Sequence, residues 1–123
     1  VLKTLNLYGN NIRLGANEIG GKGAKALASA LRVNGVLKSL SLCCNYIRDE
    51  GAAAIAEALQ GNEVLTSLDV SGNQIGPTGA TAIAEALRVN GVLTNFSLSR
   101  NHIGDTGAIA IAEALRGGVL TEL

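Results

Sequence analysis

Leu65-Thr66-Ser67-Leu68-Asp69-Val70-Ser71-Gly72-Asn73-Gln74-Ile75, followed by Gly79-Ala80-Thr81-Ala82-Ile83-Ala84-Glu85-Ala86-Leu87, is a unit that the chain repeats. Leu37, Leu40, Leu42, Asn45 and Ile47 restate its first half 28 residues earlier, and Leu93, Phe96, Leu98, Asn101 and Ile103 restate it 28 residues later. The first half carries apolar residues at the alternating spacing of a short strand. The second half sets Ile83 and Leu87 four apart, on one face of a helix, with alanines on its flanks. A fixed period with one strand and one helix per copy describes stacked layers, each packing on its neighbours.

Counting copies divides a single 1–123 domain into 1–35, 36–63, 64–91 and 92–118, with a partial copy at 119–123. The first copy carries seven extra residues: Asn10 to Gly23 is thirteen, whereas Asn45 to Gly51 is six. Two registers compete there. One takes Leu2, Leu5, Leu7, Asn10 and Ile12 as the strand motif, and the other takes Asn17 and Ile19 as its Asn and Ile. Val1–Leu7 matches Val36–Leu42 almost residue for residue, so the first register fits better, and it predicts a protruding segment centred on Arg13 to Gly20.

Composition narrows function by exclusion. Ten basic and ten acidic side chains balance to a net charge of zero, and neither sign forms a run, so no nucleic-acid footprint is present. No apolar stretch approaches the ~20 residues of a membrane span, and the N-terminal residues lack the pattern of a secretory signal. Aromatic residues make up only 2% of the chain, which suits a core assembled from many small aliphatic contacts. Cys43 and Cys44 are the two cysteines, and sequence neighbours bridge only through a strained ring, so both read as reduced thiols in a cytoplasmic setting. They stand where the other copies have Ser71-Gly72 and Ser99-Arg100, which reads as small-residue filling. With His102 as the one histidine, no metal site is expected. No nucleophile, base and orienting group fall into a catalytic motif, and Gly20-Gly21-Lys22-Gly23 lacks phosphate-loop spacing, so neither an enzyme nor a cofactor is expected.

Local signals mark the helix ends. Asp49 and Asp105 lie where a carboxylate caps a helix start or opposes its dipole, and Pro77 has a preset φ there. Asn34-Gly35 and Asn90-Gly91 read as left-handed helix closures, with Gly61 and Gly117 in the same role. Glu85 with Arg88 and Glu113 with Arg116 stand three apart, as solvent-side ion pairs within one helix. Parallel strands stack about 5 Å apart and helices about 8 to 10 Å, so the stack bends, strands inside and helices outside. The predicted fold class is therefore α/β, a right-handed solenoid or horseshoe arc with parallel strands on the concave face and helices on the convex face. Asn10, Asn45, Asn73 and Asn101 form an inward ladder satisfying backbone groups between turns.

The 28-residue spacing, the L-x-x-L-x-L-x-x-N-x-I strand motif and the Gly/Ile/Leu helix resemble the ribonuclease-inhibitor-like subfamily of leucine-rich repeats, and so also the repeat domains of cytosolic immune receptors. The resemblance covers essentially the whole chain. It implies a scaffold for recognising proteins, since members include inhibitors, sensor domains and activators of small GTPases. Longer members carry terminal caps, whereas both ends here are raw repeat, so the chain reads as a piece of a larger solenoid or a minimal one.

Strand parity selects the concave rows Thr4, Ser39, Ser67, Asn95; Asn6, Ser41, Asp69, Ser97; and Tyr8, Cys43, Ser71, Ser99. The adjoining loop row is Asn11, Tyr46, Gln74 and His102, with Arg100 beside it. Candidate partner-binding residues are Asn6, Tyr8, Ser41, Cys43, Tyr46, Asp69, Gln74, Ser97, Arg100 and His102. The reading they support is a non-catalytic protein-interaction module. A GTPase-activating repeat domain, resting on Arg100, and a structural solenoid that self-associates through uncapped ends are the alternatives.

Overall fold

A computed structural model of the chain describes residues 11–13 and 18–116. Strands and helices alternate through them: β1 (Asn11–Arg13), α1 (Gly21–Val33), β2 (Ser39–Ser41), α2 (Arg48–Gly61), β3 (Ser67–Asp69), α3 (Pro77–Val89), β4 (Asn95–Ser97) and α4 (Gly104–Leu115). The strands form one parallel sheet in sequence order, with Ser39 opposite Ser67 and Ser67 opposite Asn95. Each helix packs on the helix of the next layer and each strand on the next strand. This is an α/β solenoid.

Three-residue strands suffice in β2, β3 and β4 because each sends one side chain inward. Leu40, Leu68 and Phe96 are buried, while the residues flanking them keep part of their surface. Leu37, Leu42, Ile47, Ile55 and Leu59 fill the space between strands and helices in one layer, and Leu65, Val70, Ile75, Ile83 and Leu87 fill it in the next. Small residues set the helix spacing. A Cβ on Gly51 would press on Ile47 and lie 2.8 Å from the Ala24 methyl, and one on Gly107 would lie 3.0 Å from the Ala80 methyl. Side chains there would push the close-packed layers apart.

The first layer corrects the favoured register. Ile12 pairs with Leu40 and Arg13 with Ser41, so Ile12 holds the central strand position and Asn17, Ile19 and Gly23 align with Asn45, Ile47 and Gly51. Of the segment expected to protrude, Arg13 is in the sheet, Ile19 packs against the core and Gly20 precedes α1, while residues 14–17 lie outside the described residues. The physical reason is interlayer bonding. In this register Ile19 N–H donates to Asn45 Oδ1 at 3.0 Å, as Ile47 does to Asn73 and Ile75 to Asn101. Leu2, Leu5, Leu7 and Asn10 lie outside the described residues.

Helix ends depart from the expected closures as well. Asn34, Asn62 and Asn90 are extended, with φ of −77°, −91° and −86°, and among the described glycines only Gly72 and Gly104 have positive φ. Gly61 is the last residue of α2, and Gly117 lies outside the described residues. Each Asn serves instead through its amide. Asn62 Oδ1 accepts from Val64 and Leu65 N–H at 2.9 and 2.7 Å, and its Nδ2 donates to Leu31 O at 2.7 Å in the layer before. Asn90 does the same one layer on, with Val92, Leu93 and Leu59 O.

The ion pairs among the described residues run between neighbouring helices, not along one. Lys25 meets Glu50 at 2.7 Å, Arg32 meets Glu57 at 4.0 Å and Arg88 meets Glu113 at 3.5 Å. Arg88 thus reaches α4 where a bond to Glu85 was expected. These pairs are more than half exposed, so each contributes at most about 1 kcal/mol.

The backbone repeats every two layers, although the sequence repeats every layer. In the first and third layers the residue after the Asn position is left-handed (Glu18 φ 55°, Gln74 φ 57°), and the helix follows an extended Gly20 or Gly76. In the second and fourth the left-handed residue comes two later (Arg48 φ 58°, Gly104 φ 64°) and is itself the first of the helix. Pro77 accounts for the third layer, because a residue preceding proline is driven to the extended region.

Candidate functional site

The rigid part of the candidate surface is built from buried amides. Asn73 has no exposed surface; its Nδ2 donates to Leu42 O, Val70 O and Ser71 O at 2.9 to 3.0 Å, and its Oδ1 accepts from Asn45 N–H at 3.0 Å. Asn45 Nδ2 donates to Leu42 O, and Asn101 Nδ2 to Leu98 O and Val70 O. Each Asn ties its own turn to the layer before, so the loops after the strands are held in place. Asn10 lies outside the described residues, and the observed register gives its position to residue 17.

On that base stand the concave rows. Ser41, Asp69 and Ser97 follow one another across the sheet and are partly exposed. Asp69 Oδ1 accepts from Ser71 N–H at 2.9 Å, and the Ser97 and Ser99 hydroxyls lie 3.3 Å apart. The register puts Arg13, not Asn6, in line with Ser41, and Glu18, not Asn11, in the row of Tyr46, Gln74 and His102. Asn6 and Tyr8 lie outside the described residues. Tyr46 is 44% exposed; Gln74 accepts from Arg48 Nε–H at 3.2 Å, and His102 faces solvent. The loop row therefore runs along one edge of the concave face.

Cys43 and Arg100 converge, and they bring in Cys44, which the sequence presented as small-residue filling. Arg100 Nη2–H points at Cys43 Sγ at 3.7 Å and at Cys44 Sγ at 3.9 Å, and the two sulfurs are 2.9 Å apart and unbridged. Cys44, Gly72 and Arg100 occupy equivalent positions in three layers, all with positive φ. Gly72 has no side chain to separate the other two; a Cβ there would lie 3.2 Å from Cys44 Sγ. The signal was legible as a Gly between two larger residues at one repeat position. Hydrogen bonds from Cys44 and then Ser71 hold the Cys43 thiol below its ordinary pKa, helped by Arg100 and opposed by burial and Asp69. The bond to Cys43 correspondingly raises Cys44.

Among the described residues no group of three or more His, Cys, Asp or Glu side chains is placed to hold a metal ion, and no helix is long and apolar enough to cross a membrane. On the helix side, Lys25, Ala28, Ser29, Arg32, Ala54, Glu57 and Ala58 line an open groove between α1 and α2, where the cations are paired with Glu50 and Glu57.

A leucine-rich repeat family model matches residues 13–28, 33–56, 61–84 and 89–112. The chain belongs to the leucine-rich repeat family. A search of curated proteins finds no match. Among solved structures, this leucine-rich repeat chain is similar to one described as leiomodin-1 actin-binding site 2, at 28% identity and a TM-score of 0.86, over 99% of this chain and 73% of the other.

Proposed function

We propose that the chain is a non-catalytic protein-binding module whose partner docks on the concave face and on the loop edge formed by Glu18, Tyr46, Gln74, Arg100 and His102. The observation that carries this reading is the contrast between a buried amide ladder and exposed, chemically varied side chains beside it, because a pre-ordered surface loses little entropy on binding. Tyr46 and Arg100 are the anchor types that interfaces favour. The ribonuclease-inhibitor-like form of the repeat fits the same reading.

The leiomodin-1 neighbour makes actin the first partner to test. Binding of the domain to monomeric and filamentous actin is expected to weaken at least about tenfold in Tyr46→Ala/His102→Ala, in the range of hot-spot truncation. A helix-side control, Glu57→Gln, should bind as the wild type does. Binding to actin that is equally strong in all three proteins would place the interface elsewhere, and no binding would exclude actin as the partner.

A further inference from the structure

We propose that Cys43, Cys44 and Arg100 form a reactive dithiol site in which the Cys43 sulfur exchanges with low-molecular-weight disulfides that carry carboxylates. It stands on the geometry of these three side chains and does not depend on the protein partner proposed above.

Three placements support it. The sulfurs are 2.9 Å apart, so the Cys44 S–H lies within donating distance of the Cys43 sulfur when the latter is a thiolate. Arg100 approaches both sulfurs from two layers away, at 3.7 and 3.9 Å, across the space that Gly72 leaves without a side chain. Cys43 is partly buried and Cys44 exposed, which leaves the pair open to a small reagent. The layers without cysteines have Ser71-Gly72 and Ser99-Arg100 here, so the pair is particular to the second layer.

The chemistry follows from those placements. A thiolate is the nucleophile in disulfide exchange, and a neighbouring cation and thiol donor raise its population at neutral pH. Cys43 Sγ⁻ attacks one sulfur of the disulfide, forming a new sulfur–sulfur bond. The original sulfur–sulfur bond breaks, its electron pair leaves with the departing thiolate, and solvent protonates that group. Cys44 keeps its proton throughout, and no oxidant beyond the disulfide is consumed. Arg100 biases the charge of the reagent: its guanidinium, in contact with both sulfurs, attracts a carboxylate-bearing disulfide and repels a cationic one. Asp69 opposes it, and acts on the Cys43 thiol more strongly than Arg100 does.

The test measures the rate of exchange under pseudo-first-order conditions with two probes, dianionic dithiobis(nitrobenzoate) and dicationic cystamine, and maps the first adduct by peptide mass. The proteins are the wild type, Cys43→Ser, Cys44→Gly, Arg100→Gln and Arg100→Lys, each checked for an unchanged thermal melt. The first adduct is expected on Cys43. Arg100→Gln should slow the dianionic probe about three- to tenfold and spare cystamine, with Arg100→Lys restoring the preference and added salt narrowing it. Cys44→Gly, which places a residue suited to positive φ there, should slow the exchange at Cys43 through loss of the donor. A first adduct on Cys44, an Arg100→Gln effect equal for both probes or absent, or an unchanged rate in Cys44→Gly would overturn the proposal.

Discussion

Asn73 and Arg48 show how much a single position decides in a stack of this kind. The fully buried Asn73 amide bonds five backbone groups in two layers: Leu42 O, Val70 O and Ser71 O, and the N–H groups of Asn45 and Ile47. Asn73→Ala is therefore expected to destabilise by roughly 1 to 3 kcal/mol for each buried group left unsatisfied, read as a lowered urea midpoint, and Asn62→Ala by a comparable amount. Equal midpoints for Asn62→Ala and the wild type would mean that the helix-end amides do not carry load between layers. The strand-end role was legible, because the Asn recurs at one place in a strand motif. The helix-end role was hidden by Gly35 and Gly91, whose presence after Asn34 and Asn90 mimics a left-handed closure; the missing glycine after Asn62 was the contrary signal. Arg48 carries the opposite kind of cost. It holds φ 58°, where the equivalent Gly104 holds 64°, and its side chain gains one exposed bond to Gln74. Relief of left-handed strain, offset in part by greater freedom of the unfolded chain, predicts that Arg48→Gly stabilises by about 0.5 to 1 kcal/mol. A lowered midpoint would show that the guanidinium contact outweighs the strain.

At the scale of elements, the first turn of α2 is the hinge between layers. Asp49 does not cap its own helix; its Oδ1 accepts from Gly76 and Gly79 N–H at 2.7 and 3.0 Å, at the start of α3. Glu50 beside it turns back to Lys25 of α1, which holds its carboxyl below the ordinary range. A helix start has free N–H donors, and the extended Gly76 ahead of Pro77 leaves those of α3 without a side-chain acceptor of their own. Asp49→Ala should thus cost about 1 kcal/mol and speed amide hydrogen exchange at Gly76 and Gly79, not within α2. Faster exchange confined to the first turn of α2 would restore the same-helix cap that the sequence suggested. This arrangement was half legible: Gly21, Asp49, Pro77 and Asp105 alternate at one repeat position, and that alternation tracks the two loop forms. The first strand was misread for a related reason. Similarity between Val1–Leu7 and Val36–Leu42 outweighed the count back from Gly23, yet the count is what sheet pairing and the Ile19 bond to Asn45 obey. Arg13 and Glu18 consequently entered the candidate surface only through the structure, while Ser41 and Asp69 pair across the sheet in the row that strand parity assigned.

For the whole molecule, the two-layer backbone period has a consequence that a one-layer sequence period conceals. Stability in a solenoid is close to a sum of layer terms and nearest-neighbour interface terms, so added layers stabilise only when their interfaces are the native ones. Inserting a copy of residues 37–92 after Val92 keeps the loop forms alternating. Inserting a copy of residues 65–92 at the same point sets two layers of the Gly76-Pro77 form side by side. In that second protein the duplicated helix start faces Pro77 where the native one faces Asp49, so the N–H groups corresponding to Gly76 and Gly79 lose their acceptor. Both insertions add buried Leu and Ile at the same density, which makes hydrophobic gain per layer a constant of the comparison. The two-layer insertion is expected to raise the thermal midpoint clearly. The one-layer insertion should raise it by less than about half as much, because one interface loses roughly the worth of a helix cap and its alternating loop contacts. A one-layer gain of half or more would show that the alternation is tolerated variation rather than a condition of stacking, and that the 28-residue unit read from Leu65 to Leu87 is the whole of what each layer requires.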